Sequence, residues 1–374
     1  MRRKITLFIQ QETVLIIASL LALISCFFVV PDKQYIDYFD WKTLILLFCL
    51  MAVMAGLKEL GVFRRVGEAL LNKVHSQRGV AAVLIMLCFL GSMFITNDVA
   101  LITFIPFGIL VLKMADMDTT VCLTITLMTI AANLGSMLTP IGNPQNLYLF
   151  SVSGMDVKSF IQVILPYTLF AAVLLMILTI LGYKRKDKVS YTTKVPVSVH
   201  TGKMLYYGIL FLLCLTCVMG WISSYVLLAI IIIGIFIENR GLFLKIDYAL
   251  LATFIAFFLF IGNMGRLPAF RMFISQVVNG REELVGIIAS QVISNVPAAL
   301  LLSGFSHKWN GLIIGTNLGG LGTLIASMAS LISYKHIVVQ YPEKKTRYLI
   351  LFTVLNFVFL IILYLSGKMF VAGS

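Results

Sequence analysis

From residue 14 to residue 365 the chain is a succession of long apolar stretches, 14–30, 44–57, 121–138, 160–181, 204–220, 222–237, 248–261, 312–332 and 348–365, separated by short polar segments. Each is near the length, roughly 20 residues, that carries a helix across a hydrocarbon core about 30 Å thick. Backbone groups left unpaired in lipid are prohibitively expensive, so every crossing has to be helical. With 60% hydrophobic and 12% charged residues among 374, a water-soluble globule, whose apolar share is about a half, is excluded. The expected fold is an all-α polytopic membrane protein of about nine full spans.

Charge between the spans orients them. "MRRK", "RRVGEALLNKVHSQR", "KRKDKVSYTTK" and "YKHIVVQYPEKKTR" are basic, whereas "PDKQYIDYFD" is net acidic. Basic loops stay cytoplasmic, which puts the chain in the plasma (inner) membrane with its N-terminus inside. No small-residue cleavage site closes the first apolar run, so it is retained as a span. The net charge of +13 reads as topology and attraction to anionic headgroups, not as nucleic-acid binding. The six cysteines lie in apolar runs, where a thiol acts as a small hydrophobe. The four histidines, His75, His200, His307 and His336, fall in expected loops.

Two segments conflict with single crossings. Residues 79–112, as one helix at ~1.5 Å per residue, would run about 50 Å, too long for one span. Residues 284–306 as one span would carry the last basic loop outside. Both are therefore expected to fold back as re-entrant hairpins, 79–112 from the cytoplasmic side and 284–306 from the external side, with tips at "TND" and "SNV".

The two halves repeat these elements in the same order: "FITNDVALITF" resembles "VISNVPAALLL", and "ANLGSMLTPIGNPQN" resembles "TNLGGLGTLIASMAS". Asn133, Leu134, Gly135 and Thr139 match Asn317, Leu318, Gly319 and Thr323. The expected organisation is an N-terminal span and loop (1–43), a first repeat (44–182) whose broken span is 121–150, a basic linker (183–203), bridging helices (204–246) and a second repeat (247–366) whose broken span is 311–332. If the repeats have opposite orientation, this is an inverted-repeat transporter.

At a buried tip one half-helix offers free N–H groups and the other free carbonyls, attracting an anion and a cation respectively. Gly135, Gly142, Gly319, Gly320 and Gly322 allow backbone carbonyls to be exposed. Asn133, Ser136, Thr139, Asn143, Thr316, Asn317 and Thr323 add neutral oxygens. Asp98, the only acidic or basic residue between Arg78 and Lys113, is either a cation or proton ligand or the cap of the half-helix that follows. Asn97 and Asn295 carry the same two readings. Val296 stands where Asp98 has its counterpart, so only one tip carries a fixed charge.

With paired tips and paired broken spans over residues 44–365, the chain resembles the ion transporter superfamily. That group includes divalent anion:sodium symporters, citrate carriers, arsenite permeases and certain sodium/proton antiporters. The resemblance implies a scaffold domain holding a homodimer and a transport domain that moves as an elevator. It implies one cation site at Thr96, Asn97, Asn133, Gly142 and Asn143, with Asp98 beside it, and another at Ser294, Asn295, Thr316, Asn317 and Gly322, with Thr323 beside it. The anion would lie between the tips, on Thr96, Asn97, Asn143, Ser294, Asn295, Thr316 and Asn317. The symporter pattern has Ser-Asn-Thr at both tips, and the third hydroxyl is missing here. The Asn-Asp pair looks more like the arsenite permease branch.

The function expected is secondary active transport of a small anion or oxyanion, carboxylate or arsenite-like, coupled to Na+ or H+, with a Na+/H+ antiporter of the same fold as the alternative. No HExxH, GxSxG or phosphate-binding loop occurs, so no enzyme is expected, and no cofactor besides the coupling ion.

Overall fold

The computed structural model describes residues 12–183 and 200–372. The "MRRK" segment and residues 184–199 of the basic linker lie outside them. Among the described residues there is no strand. The helices are α1 (Thr13–Phe28), α2 (Trp41–Glu59), α3 (Val62–Leu71), α4 (Gln77–Gly91), α5 (Asn97–Met114), α6 (Val121–Ser136), α7 (Pro144–Ser153), α8 (Val157–Gly182), α9 (Thr201–Val218), α10 (Ser224–Asn239), α11 (Tyr248–Gly265), α12 (Pro268–Val278), α13 (Glu282–Ile293), α14 (Asn295–Ser303), α15 (Trp309–Leu318), α16 (Met328–Gln340) and α17 (Lys345–Ala372).

Eight stretches among them are long and apolar enough to cross a membrane: Trp41–Glu59, Asn97–Met114, Asp118–Ser136, Val157–Gly182, Thr201–Val218, Ser224–Lys245, Tyr248–Gly265 and Pro342–Gly367. The protein is a polytopic membrane protein. Two expected spans are absent from this set. The first apolar run forms a helix of only 16 residues, and 312–332 is split into α15 and α16 by the glycine-rich stretch 319–327. Conversely, α5 reaches 18 residues because its apolar run continues through Pro106 without a break. His336 lies within α16 and not in a loop, since the apolar pattern extends past Tyr334 to Gln340.

Burial sorts the helices into centre and periphery. The α6 stretch is 83% buried, whereas those of α9 and α10 are 28% and 22% buried and present Leu, Ile and Phe outward. Centre means close packing: a Cβ at Gly135 of α6 would lie 2.0 Å from the Phe89 carbonyl oxygen of α4. Only glycine lets these two helices touch.

The second half repeats the contact. A Cβ at Gly319, at the end of α15, would lie 2.5 Å from Ser290 Oγ of α13. Pairings between halves also exchange partners: α7 of the first half packs on α14 of the second, and α16 of the second on α5 of the first. The first helix of each set is started alike, with Asp40 accepting from Thr43 N–H at 3.2 Å and Asp247 from Leu250 N–H at 2.9 Å, an N-cap that satisfies an otherwise orphaned donor.

Candidate functional site

The centre of the molecule is a pair of helix breaks, 92–96 between α4 and α5 and Ser294 between α13 and α14, which face breaks in neighbouring helices, 137–143 and the glycine-rich 319–327 respectively. The backbone N–H of Asn97 donates to the Gly142 carbonyl at 3.0 Å, and the N–H of Asn295 donates to the Ala326 carbonyl at 3.0 Å. The Thr139 hydroxyl donates to the Met93 carbonyl at 2.6 Å, and the Thr323 hydroxyl to the Gln291 carbonyl at 3.3 Å. Asn97 Oδ1 accepts from Asp98 N–H, and Asn295 Oδ1 from Val296 N–H. Three hydrogen bonds thus recur at positions that the sequence repeat pairs.

Side chains tie the two breaks together. Asn97 Nδ2 donates to Asn133 Oδ1 at 3.1 Å, which also accepts from the Ser327 hydroxyl at 3.1 Å. Asn143 Nδ2 donates to Asn317 Oδ1 at 3.1 Å, and Asn317 Nδ2 donates to Asn146 Oδ1 at 2.6 Å. Asn143 and Ser327 are counterparts, and so are Asn133 and Asn317. Each broken helix therefore sends a polar side chain across to the Asn of the other half. These groups are buried (Asn97, Asn133, Asn143, Asn146, Asn317, Ser327), where an unmade hydrogen bond is costly.

Beside this network is a cavity of about 460 Å³. Thr96, Asp98 and Asn143 line it together with apolar residues of α2, among them Leu50 and Met54, and Lys58, Glu59, Lys245 and Asp247 complete its wall. Glu59 and Lys245 pair at 2.7 Å. Asp98 does not act as the cap of α5: Thr96 Oγ1 accepts from Val99 N–H at 3.5 Å, and among the described residues Asp98 Oδ1 accepts no hydrogen bond.

The other expected residues lie apart from the cavity. Ser294 bridges α13 and α14 at φ 74°, a left-handed conformation that is strained for a non-glycine residue. The Thr316 hydroxyl donates to the Leu312 carbonyl at 2.8 Å. Gly322, at φ +107°, lies against the side chain of Gln291. Two carboxamides that sequence reasoning passed over complete the breaks. Asn146 Nδ2 donates to the carbonyls of Met137 and Thr139 at 3.1 and 3.2 Å, and Gln291 Nε2 to those of Gly319 and Leu321 at 2.9 Å each. The one signal for them was proximity: each lies within a few residues of a tip or break motif.

Membrane-length helices that enclose a solute-sized cavity beside paired helix breaks define a protein built to handle a small solute within the bilayer. Residues 5–307 match the citrate transporter family, and the chain belongs to that family, within the ion transporter superfamily. It is therefore a membrane transporter and not an enzyme. It is 31% identical to an uncharacterized transporter of Methanocaldococcus jannaschii over 91% of this chain and 93% of that one. It is 30% identical to the inner membrane protein YbiR of Escherichia coli, over 83% and 84%. A silicon efflux transporter of Oryza sativa subsp. japonica is 32% identical over 38% of this chain and 29% of that one.

Proposed function

We propose that this protein is a secondary active transporter that moves a small oxyanion-forming solute by elevator-type alternating access. In this reading α4–α5 and α13–α14 are re-entrant hairpins, α6–α7 and α15–α16 are broken spans, and the two sets are inverted repeats forming one transport domain. The observation that carries it is two buried hydrogen-bonded clusters that cross between the halves, Asn97–Asn133–Ser327 and Asn143–Asn317–Asn146, which join both breaks into one body next to the cavity. The opposite wall of that cavity is the largely apolar face of α2, a surface across which such a body slides without breaking polar contacts. The expected homodimer and the inner-membrane placement with a cytoplasmic N-terminus belong to the same reading.

Charge on the wall narrows the solute. Lys58 and Lys245 stand against Glu59, Asp247 and Asp98, so the wall offers no excess of positive charge to hold a citrate-like polyanion. A weak acid that enters protonated, with its hydroxyls donating to Asp98, is not repelled. Arsenite-like or silicic-acid-like species fit this description, and the name of the rice relative points the same way. Asp98 then also serves as the group that a coupling proton or cation visits. The test is uptake of arsenite, silicic acid and citrate into proteoliposomes under imposed Na+ and H+ gradients, with Asp98→Asn in parallel. Saturable, gradient-driven uptake of a weak acid that is lost in Asp98→Asn is expected. Cation exchange in the absence of any solute would replace this reading with the antiporter.

A further inference from the structure

The cavity beside α2 has a counterpart that is filled. Counted from the shared N-caps Asp40 and Asp247, the cavity-lining Leu47, Leu50, Met51 and Met54 of α2 correspond to Phe254, Phe257, Phe258 and Ile261 of α11. Aliphatic side chains leave room on one wall, and three phenylalanines take the same positions on the other. As α5 faces α2 across the cavity, so its counterpart α14 packs on α11. Here the approach is close: a Cβ at Gly304, just past α14, would meet Ile261 Cγ2 at 2.6 Å.

A tyrosine of α7 completes the filling. The Tyr148 ring packs on Phe258 with centroids 5.5 Å apart and edge-on to Phe254 at 6.3 Å. Phe254 and Phe258 meet each other at 6.0 Å, and Phe39 covers Phe258 at 6.4 Å. Tyr148, Phe254 and Phe258 are buried. The Tyr148 hydroxyl bonds with Ser303 Oγ of α14 at 2.9 Å, so its polar end is satisfied within the body that carries both helix breaks. What it presents to α11 is its ring, which can leave Phe254 and Phe258 without giving up that hydrogen bond.

We propose that Tyr148 is a gate: wedged against Phe254 and Phe258, it closes a second solute route between α11 and α14, which opens when α7 carries the ring away from α11. The proposal rests on the transport reading above and names the residues that shut one end of the path while the cavity at α2 is formed. The closed route differs chemically from that cavity. Val296 stands where Asp98 has its counterpart, Gly265 stands for Lys58, and the adjacent Arg266 is paired with Asp32 at 2.8 Å. An uncharged, hydroxyl-bearing solute passes such a wall, whereas an anion finds no free partner there.

The experiment places a reporter thiol behind the gate, Val296→Cys, and follows its reaction with a water-soluble maleimide in detergent, with position 148 as Tyr, Phe or Ala. Slow labelling is expected with Tyr and with Phe, which keeps the ring. With Tyr148→Ala it should be about tenfold faster, because two ring contacts no longer favour the closed state. Equal rates for Tyr and Ala overturn the proposal, and so does Tyr148→Phe as fast as Tyr148→Ala, which would assign the closure to the Ser303 bond. Cys88, buried in α4, must stay unlabelled; where it does not, Tyr148→Leu replaces Tyr148→Ala with the same two outcomes. In proteoliposomes, a short reducible bis-thiol linker between Tyr148→Cys and Phe258→Cys should stop uptake, and reduction should restore it. Equal uptake before and after reduction overturns the proposal. Absence of uptake by the wild type under every gradient would strike the transport reading alone, because the labelling rates decide the gate without it.

Discussion

Replacing Asn133 by alanine should lower stability by about 2 kcal/mol, and the figure follows from its three hydrogen bonds. Asn133 accepts from Asn97 Nδ2 and Ser327 Oγ at 3.1 Å each and donates to the Gly320 carbonyl at 3.4 Å. Double-mutant cycles within membrane proteins average about 0.6 kcal/mol per hydrogen bond, with a maximum near 1.7. Three bonds at the average give about 1.8 kcal/mol. The abandoned partners give a second route: the Ser327 hydroxyl can rotate, but the Asn97 amide, 4% exposed, cannot reach water, and one unpaired buried donor costs about 1–3 kcal/mol. The two routes agree. The assay is reversible denaturant unfolding in detergent micelles of wild type, Asn97→Ala, Asn133→Ala and the double variant. A coupling of about 0.6–1.7 kcal/mol between the two sites is expected. A loss below about 0.5 kcal/mol for Asn133→Ala, with no coupling, would refute the reasoning that the Asn97–Asn133–Ser327 cluster holds the two halves together.

Gly135→Ala, whose Cβ would lie 2.0 Å from a backbone oxygen of α4, should push α4 from α6 and cost about 1–3 kcal/mol by overpacking, read as a fall in Tm. Asp98→Asn should leave stability within about 0.5 kcal/mol of wild type, because its carboxylate caps nothing, while abolishing uptake; an equal loss of both would return Asp98 to a structural role. Asp156 starts α8 by accepting from Ser159 N–H at 2.7 Å, and that bond holds its carboxyl below the usual carboxylate range. Its contribution is therefore present above about pH 4 and lost as the pH falls through the depressed value. The Tm difference between wild type and Asp156→Ala should shrink on acidification, whereas that between Asp156→Asn and Asp156→Ala should not.

Much of the fold was legible because lipid simplifies the code. Apolar length and breaks by Gly, Pro and Asn were enough to place α4–α5 and α13–α14 on either side of Asn97 and Asn295, and the repeat Asn133–Gly135 against Asn317–Gly319 recurs as hydrogen bonds. Length alone failed at α1, where the helix stops at Phe28 while the apolar run continues, and at 312–332, where hydropathy averages over a break that glycine backbone makes. The site was legible as residue types but not as partners. Nothing in a string of neutral oxygens says which already accept a hydrogen bond, and that depends on Asn146, Gln291 and Ser327, which the fold brings from other turns and the other half. The capping reading of Asp98 failed for a local reason: Thr96 lies three residues ahead of Val99, the spacing that a cap requires.

The crossing of Asn143 to Asn317 and of Ser327 to Asn133 has a mechanical consequence. Polar contacts that cross between the halves leave no seam, so a force applied to either helix break is delivered to both. The paired residues are nonetheless unlike, Asn against Ser, Asp98 against Val296, Met93 against Gln291. Swapping the halves would not return the same molecule: the assembly is mechanically whole yet chemically lopsided.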